Sequence, residues 1–410
     1  MSEYQIYTFP NGIRLAHRQV PHTKIVHCGI MLDIGSRDEG PDQVGLAHFW
    51  EHMAFKGTEK RKAFHIINRL ESVGGELNAY TTKEKICFYA SVLDSHFDRA
   101  VDVLSDITFN SIFPEKQLEK ERSVILEEMA MYLDSPEDAI QDEFDELIFP
   151  NHPLGNNILG TRESLKRFKR EDLQRFVHDN LNSERTVVSV VGNISLKKAI
   201  RVTEKYLAQV PAYSQKPERS EPPKYVPKSI TQTKPISQAH VAVGLPAYSL
   251  HHPDRLKYFT LIHLLGGPGM NTRLNVALRE KNGLVYGIDA NYTAYTDSGY
   301  TSILYATDAK NLKRADSLIR KEIDLLKTKA LGELQLKNLK DQLMGQLAMA
   351  DESNQSFMLM MAKSILDLDR VESLEEIFGK IRSVTAEDIL SLSNETLDYD
   401  QMSQLIYLPE

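Results

Sequence analysis

Two histidines four positions apart, with a glutamate between them, are the residues of this sequence best suited to chemistry: His48, Glu51 and His52 in His48-Phe49-Trp50-Glu51-His52. On a helix, side chains at i and i+4 share a face about one turn apart, so both imidazoles can offer a ring nitrogen to one small cation. Glu51, adjacent to His52, falls beside such a cation yet stays free to hold and deprotonate a water. A His-x-x-x-His pair is often only part of a solvated polar face. Here, however, Leu46, Ala47, Phe49, Trp50, Met53 and Phe55 surround the triplet with apolar side chains. Imidazoles in so apolar a setting need a partner, and a metal ion is one.

A helix over 46–54 must carry that triplet, and apolar periodicity predicts further helices over 114–133 and 333–350. Alternation or β-branched runs predict strands over 25–34, 186–191 and 239–244. Four prolines and many charges between 214 and 228 read as a linker. It divides the chain into an N-terminal metal-binding domain, 1–213, and a C-terminal domain, 229–410. The halves resemble each other. Glu76-Leu-Asn-Ala-Tyr-Thr-Thr, the alternating run 86–92 and the amphipathic run from Phe97 match Asp289-Ala-Asn-Tyr-Thr-Ala-Tyr, the run 300–306 and the run from Asn311. Such a repeat argues an internal duplication and an α+β fold of two homologous domains, each an antiparallel-rich sheet packed by helices.

A net charge of −8 supplies no basic field for nucleic acid or an anionic membrane. Cys28 and Cys87 both sit in apolar strand-like runs, and so few cysteines in 410 residues fit buried free thiols in a reducing compartment. The opening Met1-Ser2-Glu3-Tyr4-Gln5-Ile6 lacks the basic and apolar regions of a signal peptide, and no apolar run is long enough to span a membrane. A cytoplasmic location is the expectation.

His-x-x-Glu-His is the inverted zincin order, and 45–58, Gly-Leu-Ala-His-Phe-Trp-Glu-His-Met-Ala-Phe-Lys-Gly-Thr, closely resembles the pitrilysin-type zinc peptidases. Among them it is most similar to the branch holding the mitochondrial processing peptidase β subunit and its bacterial relatives. The resemblance implies the metallohydrolase fold of that family, one zinc per chain bound by His48, His52 and a glutamate on a second helix, and Glu51 as general base. Glu128, in Arg122-Ser-Val-Ile-Leu-Glu-Glu128-Met129, matches the third ligand. Glu121, seven residues earlier and so on the same helical face, matches a carboxylate that supports the site.

The resemblance reaches across most of the chain. Gly75 to Thr81, with Asn78, Ala79 and Tyr80 at its centre, resembles the family's edge strand, whose backbone pairs with an extended peptide. Arg279 and Tyr286 match an Arg and a Tyr that contact the substrate carbonyl. Gly266-Gly267-Pro268-Gly269 resembles a glycine-rich loop, expected to be flexible, with no phosphate-binding pattern. Asp138 and Asp142, ten and fourteen positions after Glu128, stand where relatives bind a basic side chain, although the first is usually the longer glutamate. Family members of this length work as dimers. A chain that holds both the zinc motif and the Arg/Tyr pair is expected to form a homodimer acting on peptides, with a heterodimer as the alternative. The rival reading is a non-catalytic or assembly subunit of a heterodimeric processing complex, against which the intact His48, Glu51, His52 and Glu128 weigh.

Overall fold

The computed structural model describes residues 4–213 and 218–410. The chain begins with β1 (Gln5–Thr8), β2 (Arg14–Gln19), β3 (Ile25–Leu32), α1 (Leu46–Ala54), α2 (Ala63–Glu71), β4 (Glu76–Thr81), β5 (Ile86–Leu93), α3 (Phe97–Phe109) and α4 (Glu115–Leu133). It continues through α5 (Pro136–Ile148), α6 (Arg162–Arg167), α7 (Arg170–Asn180), β6 (Thr186–Gly192) and α8 (Leu196–Leu207). The second half supplies β7 (Ser229–Lys234), β8 (Ala239–Pro246), α9 (Arg255–Gly266), β9 (Val285–Ala294), β10 (Gly299–Thr307) and α10 (Leu312–Thr328). It closes with α11 (Glu333–Asp351), α12 (Asn354–Leu368), α13 (Leu374–Ser383), α14 (Ala386–Thr396) and β11 (Ser403–Pro409).

The duplication is visible in the sheets. One runs β1-β2-β6-β3-β5-β4 and the other β7-β11-β8-β10-β9. Apart from β1, the two orders correspond strand for strand: β2 lies parallel to β6 as β7 does to β11, and every other neighbouring pair is antiparallel. The two-domain α+β architecture expected from the repeat is therefore present. The compact units, however, are not the linear halves. One comprises 1–129, 156–220 and 349–373, the other 130–155, 221–348 and 374–410. Thus α5 from the first half belongs to the second unit, and α12 from the second half belongs to the first.

Burial explains the exchange. In the first unit, β6 is Thr-Val-Val-Ser-Val-Val-Gly, buried throughout as a central strand covered on both faces. One face needs a cover, and α12 supplies Phe357, Met358, Met361 and Ile365 against Met31, Cys87, Val187 and Val191. Close approach is possible because paired positions on β3 and β6 are small. A Cβ on Gly29 would stand 3.2 Å from the Met358 sulfur, and Ser189 Oγ donates to the Met358 carbonyl at 2.8 Å. In the second unit α5 has the same task, packing Ile140, Phe144 and Ile148 on Ala242, Tyr300, Leu405 and Tyr407. Cys28 and Cys87 are buried free thiols, as expected, and burial pushes the Cys28 thiol up to about 12.

The segment 214–228 read as a linker contains a boundary between the two units, between Ser220 and Glu221. Residues 214–217 lie outside the described residues, but the rest is anchored. Arg219 makes a two-pronged pair with Asp38, 2.8 Å on each prong, and also reaches Asp33 at 3.2 Å. The Tyr225 hydroxyl donates to the Gln401 carbonyl at 2.9 Å.

Asp33 is the centre of a buried charge network in the first unit, taking Lys85 at 2.8 Å together with Arg185 and Arg219. Lys85 also reaches Asp367 of α12 at 2.8 Å, so an ion pair fixes the exchanged helix to β5's neighbourhood. Removing one member of a buried pair strands its partners, so Lys85→Met is expected to cost about 3 kcal/mol in urea denaturation. Burial pushes the Asp367 carboxyl up, but the Lys85 and Lys363 ammoniums outweigh it and hold it below its ordinary 3.8. A depressed carboxylate contributes stability above its unfolded pKa and loses it as pH falls through the folded one. Asp367→Asn should therefore be less stable than the parent at neutral pH, with the gap closing below about pH 4 in pH-dependent thermal melts.

Candidate metal centre

The helix α1 has two faces with opposite demands. Leu46, Phe49, Trp50 and Met53 are completely buried, and the Trp50 ring meets Phe88 and Phe176 edge-on at 6.2 and 6.3 Å. Seating that face in the core leaves His48, Glu51 and His52 on the other, with the two imidazole centroids 4.6 Å apart. On α4 the inward residues are Leu118, Glu121, Ile125 and Met129, and the face they define also presents Glu128. Glu128 Oε2 lies 3.4 Å from His52 Nε2 and 3.8 Å from His48 Nε2. One donor atom from each of the three residues falls within 4.8 Å of the others. Two imidazole nitrogens and one carboxylate oxygen, in a half-buried setting, fit a zinc ion that keeps a fourth position open.

The electrostatics suit such an ion. Burial, then the charge of His52, pushes the His48 imidazole down to about 4, against the pull of Glu128. Burial opposes charge on His52 as well, but hydrogen bonds to Glu121 and Glu128 outweigh it and raise His52 to about 9. Glu121 Oε2 faces His52 Nδ1 at 3.3 Å, and its other oxygen takes the Lys56 ammonium at 2.9 Å. A carboxylate on Nδ1 sets the tautomer that points Nε2 at the metal position. Glu51 accepts a hydrogen bond from Thr81 Oγ1 at 2.5 Å. Burial raises its carboxyl, while Thr81 and His52 draw it back.

Thr81 closes β4, which pairs only with β5 and so forms the sheet's edge among the described residues. Asn78, Ala79 and Leu77 of that strand line a cavity of about 290 Å³ with Glu51, His52, Phe55 and Ile67. Tyr80, grouped with Asn78 and Ala79 on sequence grounds, is not in that lining. It packs beside the α12 cluster, its ring 6.2 Å from Tyr89.

The remaining candidates belong to the second unit. Arg279 sits on a π-helical turn, Asn275–Glu280, with its guanidinium 5.4 Å from the Tyr286 ring, and Tyr286 is 90% exposed. Tyr286 and Asp138 line a cavity of about 690 Å³ together with Glu137, His240, Asp289 and Tyr305. Asp142 is not in that lining; its charge acts on Tyr407 instead. Glu137 of α5 and Asp289 of β9 thus join Asp138 in that lining, a grouping that no spacing along α5 could reveal. Gly266, Gly267 and Gly269, in the segment expected to be flexible, are closely approached by neighbouring groups. A Cβ on Gly267 would come within 2.6 Å of His263 Nδ1, and one on Gly269 within 2.4 Å of Gln342 Nε2.

Residues 14–162 match the family model described as insulinase, peptidase family M16, and residues 167–343 match that of the peptidase M16 inactive domain. A Bacillus subtilis protein named "Uncharacterized zinc protease YmxG" is 35% identical over 98% of this chain and 97% of its own length. The chain belongs to peptidase family M16. A Rickettsia bellii protein named "Uncharacterized zinc protease" is 30% identical over 98% of the chain and 97% of that relative. A protease structure from Helicobacter pylori superposes with a TM-score of 0.92 at 20% identity over 100% of both chains. A Pseudomonas fluorescens structure titled peptidase M16 inactive domain gives 0.91 at 19% identity over 99% of this chain and 98% of that one, confirming the shared fold.

Zinc uptake by chelator-stripped protein, followed with a chromophoric indicator, is expected to be abolished by His48→Ala and by Glu128→Gln. Glu121→Gln, which leaves all three donors in place, should weaken uptake ~10–100-fold.

Proposed function

We propose that the protein is a zinc-dependent endopeptidase that cleaves peptides or unfolded segments held in extended form, with one zinc per chain held by His48, His52 and Glu128. The carrying observation is the meeting of those donors within 4.8 Å beside Glu51, whose carboxylate is tied to the end of an open edge strand. Membership of family M16, and full-length relatives that bear the name zinc protease, support the reaction class.

Zinc bound there supplies a Lewis acid that lowers the pKa of water and polarises a carbonyl. Glu51 takes the proton of the attacking water and returns it to the leaving amine, tasks suited to a carboxyl whose pKa burial has raised. Thr81 holds that carboxylate in one orientation. The open edge of β4 offers amides and carbonyls to the main chain of an extended substrate, which tolerates varied side chains. Arg279 and the exposed phenol of Tyr286 are the cation and hydrogen-bond donor for a substrate carbonyl oxygen. The acidic cavity of Glu137, Asp138 and Asp289 supports a preference for substrates with a basic side chain, Arg above Lys. The working form is a homodimer whose enclosed chamber admits unfolded chains. The buried free thiols suit a reducing compartment such as the cytoplasm.

Chelation should abolish peptide hydrolysis and zinc should restore it. Glu51→Gln is expected to keep its zinc and lose ~10²–10⁴-fold in kcat; full activity in that variant would overturn the assignment. Thr81→Val should lower kcat about tenfold with KM unchanged, the weight of one charge-assisted hydrogen bond. Digestion of an unbiased peptide library should enrich cleavage near Arg and Lys, and the enrichment should shrink in Asp138→Asn and Asp289→Asn.

A further inference from the structure

The two histidines are held in different ways. His52 has Glu121 on its Nδ1 and Glu128 toward its Nε2, so its ring orientation is set by hydrogen bonds at both nitrogens. His48 has no such support: its Nδ1 is buried without a hydrogen-bond partner among the described residues. A metal-ligating imidazole is ordinarily oriented through its second nitrogen; without that, the placement of His48 depends on its packing, including the His52 ring 4.6 Å away, and on its backbone, in the first turn of α1.

That turn is gripped by a carboxylate from outside the helix. Gly45, at the start of α1, has a left-handed φ of 98° and no side chain with which to cap the free amides. Glu39, only 5% exposed, does so instead, Oε2 accepting from the Gly45 amide at 2.9 Å and Oε1 from the Ala47 amide at 2.7 Å. Ala47 is the residue immediately before His48. The other side of the turn is closed by backbone, since a Cβ on Gly45 would lie 2.7 Å from the Gly160 Cα. The Leu46 amide is satisfied by the Gln43 carbonyl at 2.9 Å, and Gln43 in turn accepts from the Gly40 amide, also at 2.9 Å. The first turn of α1 therefore has one seat, and the buried two-oxygen grip of Glu39 defines it.

We propose that Glu39 is a positioning residue for the metal centre, setting the direction of His48 through the Gly45 and Ala47 amides as Glu121 sets that of His52 through its ring. Two acceptor oxygens matter as well as shape. Both oxygens of Glu39 accept an amide at the helix N-terminus, where the backbone dipole favours a carboxylate; burial pushes the carboxyl up to about 8, and the Ala47 and Gly45 amides draw it back. Glutamine at the same position keeps one acceptor and turns a donor toward the other amide. The role rests on His48, His52 and Glu128 being the metal ligands.

The test compares the full-length parent with Glu39→Gln and Glu39→Asp, stripped of metal and titrated with zinc against a chromophoric chelator and with Co²⁺ monitored by its visible absorption, alongside thermal melts without metal. Glu39→Gln is expected to weaken zinc binding ~10–100-fold and to alter the Co²⁺ band. Glu39→Asp, which retains two acceptor oxygens, should recover most of the affinity. A loss of thermal stability in both variants with parental zinc affinity and an unchanged Co²⁺ spectrum would mean that Glu39 serves the fold alone, and would overturn the proposal. A parent that takes up no zinc would overturn the ligand assignment together with this role, which separates the two failures.

Discussion

Three groups that each interact strongly with water, two imidazoles and a carboxylate, meet where α1 faces α4, and most of the surrounding structure serves to make that meeting tolerable. Metal-free, the cluster keeps one proton on His52, raised to about 9 between Glu121 and Glu128, while burial leaves His48 neutral. A buried charge held this way is weak support for stability. A divalent cation satisfies all three donors at once. The core seating of Phe49 and Trp50, the inward face of α4 and the grip of Glu39 on the first turn all hold the donors where they can share it.

Glu51, the proposed base, is positioned by the same economy. Thr81 belongs to the strand whose free edge can receive a peptide, and its hydroxyl holds Glu51. The surface that would seat the substrate and the group that would act on it are thereby joined through one side chain. A peptide bound along β4 lies on a rigid element rather than a loop, which is how a reacting bond is kept within a fraction of an ångström of its base.

Much of this could be read from residue types and spacing. The apolar ring around His48 and His52 marked α1 as a buried helix, and its ends fall at 46 and 54 as the periodicity predicts. Period-two alternation located β5, apolar and β-branched runs located β3 and β6, and the repeat anticipated two similar sheets. Glu128 is different. The helix α4 carries glutamates at 115, 119, 121, 127 and 128, and periodicity cannot choose between faces; only resemblance singled out Glu128. The structure supplies the reason, since Glu121 shares its face with the buried Leu118 and Ile125 and Glu128 continues that face, whereas Glu127 is exposed. Thr81, Glu39 and Asp289 stayed hidden because Thr81 and Asp289 meet their neighbours across strand-to-helix contacts and Glu39 across a turn, and such contacts leave no local pattern. The exchange of α5 and α12 was illegible for a related reason: a helix's apolar stripe shows that it needs a sheet to cover, but not which of two similar sheets it will find.

The central claim is that a zinc ion sits on His48, His52 and Glu128 in front of Glu51. Anomalous diffraction at the zinc edge, from crystals of the full-length Glu51→Gln protein grown with zinc and a basic peptide, addresses it most directly. The expected map has one strong peak per chain, ~2.0–2.2 Å from the two imidazole nitrogens and a Glu128 oxygen, with peptide density running along the edge of β4. A zinc peak on other residues, or none in a protein whose α1 and α4 are intact, would contradict it.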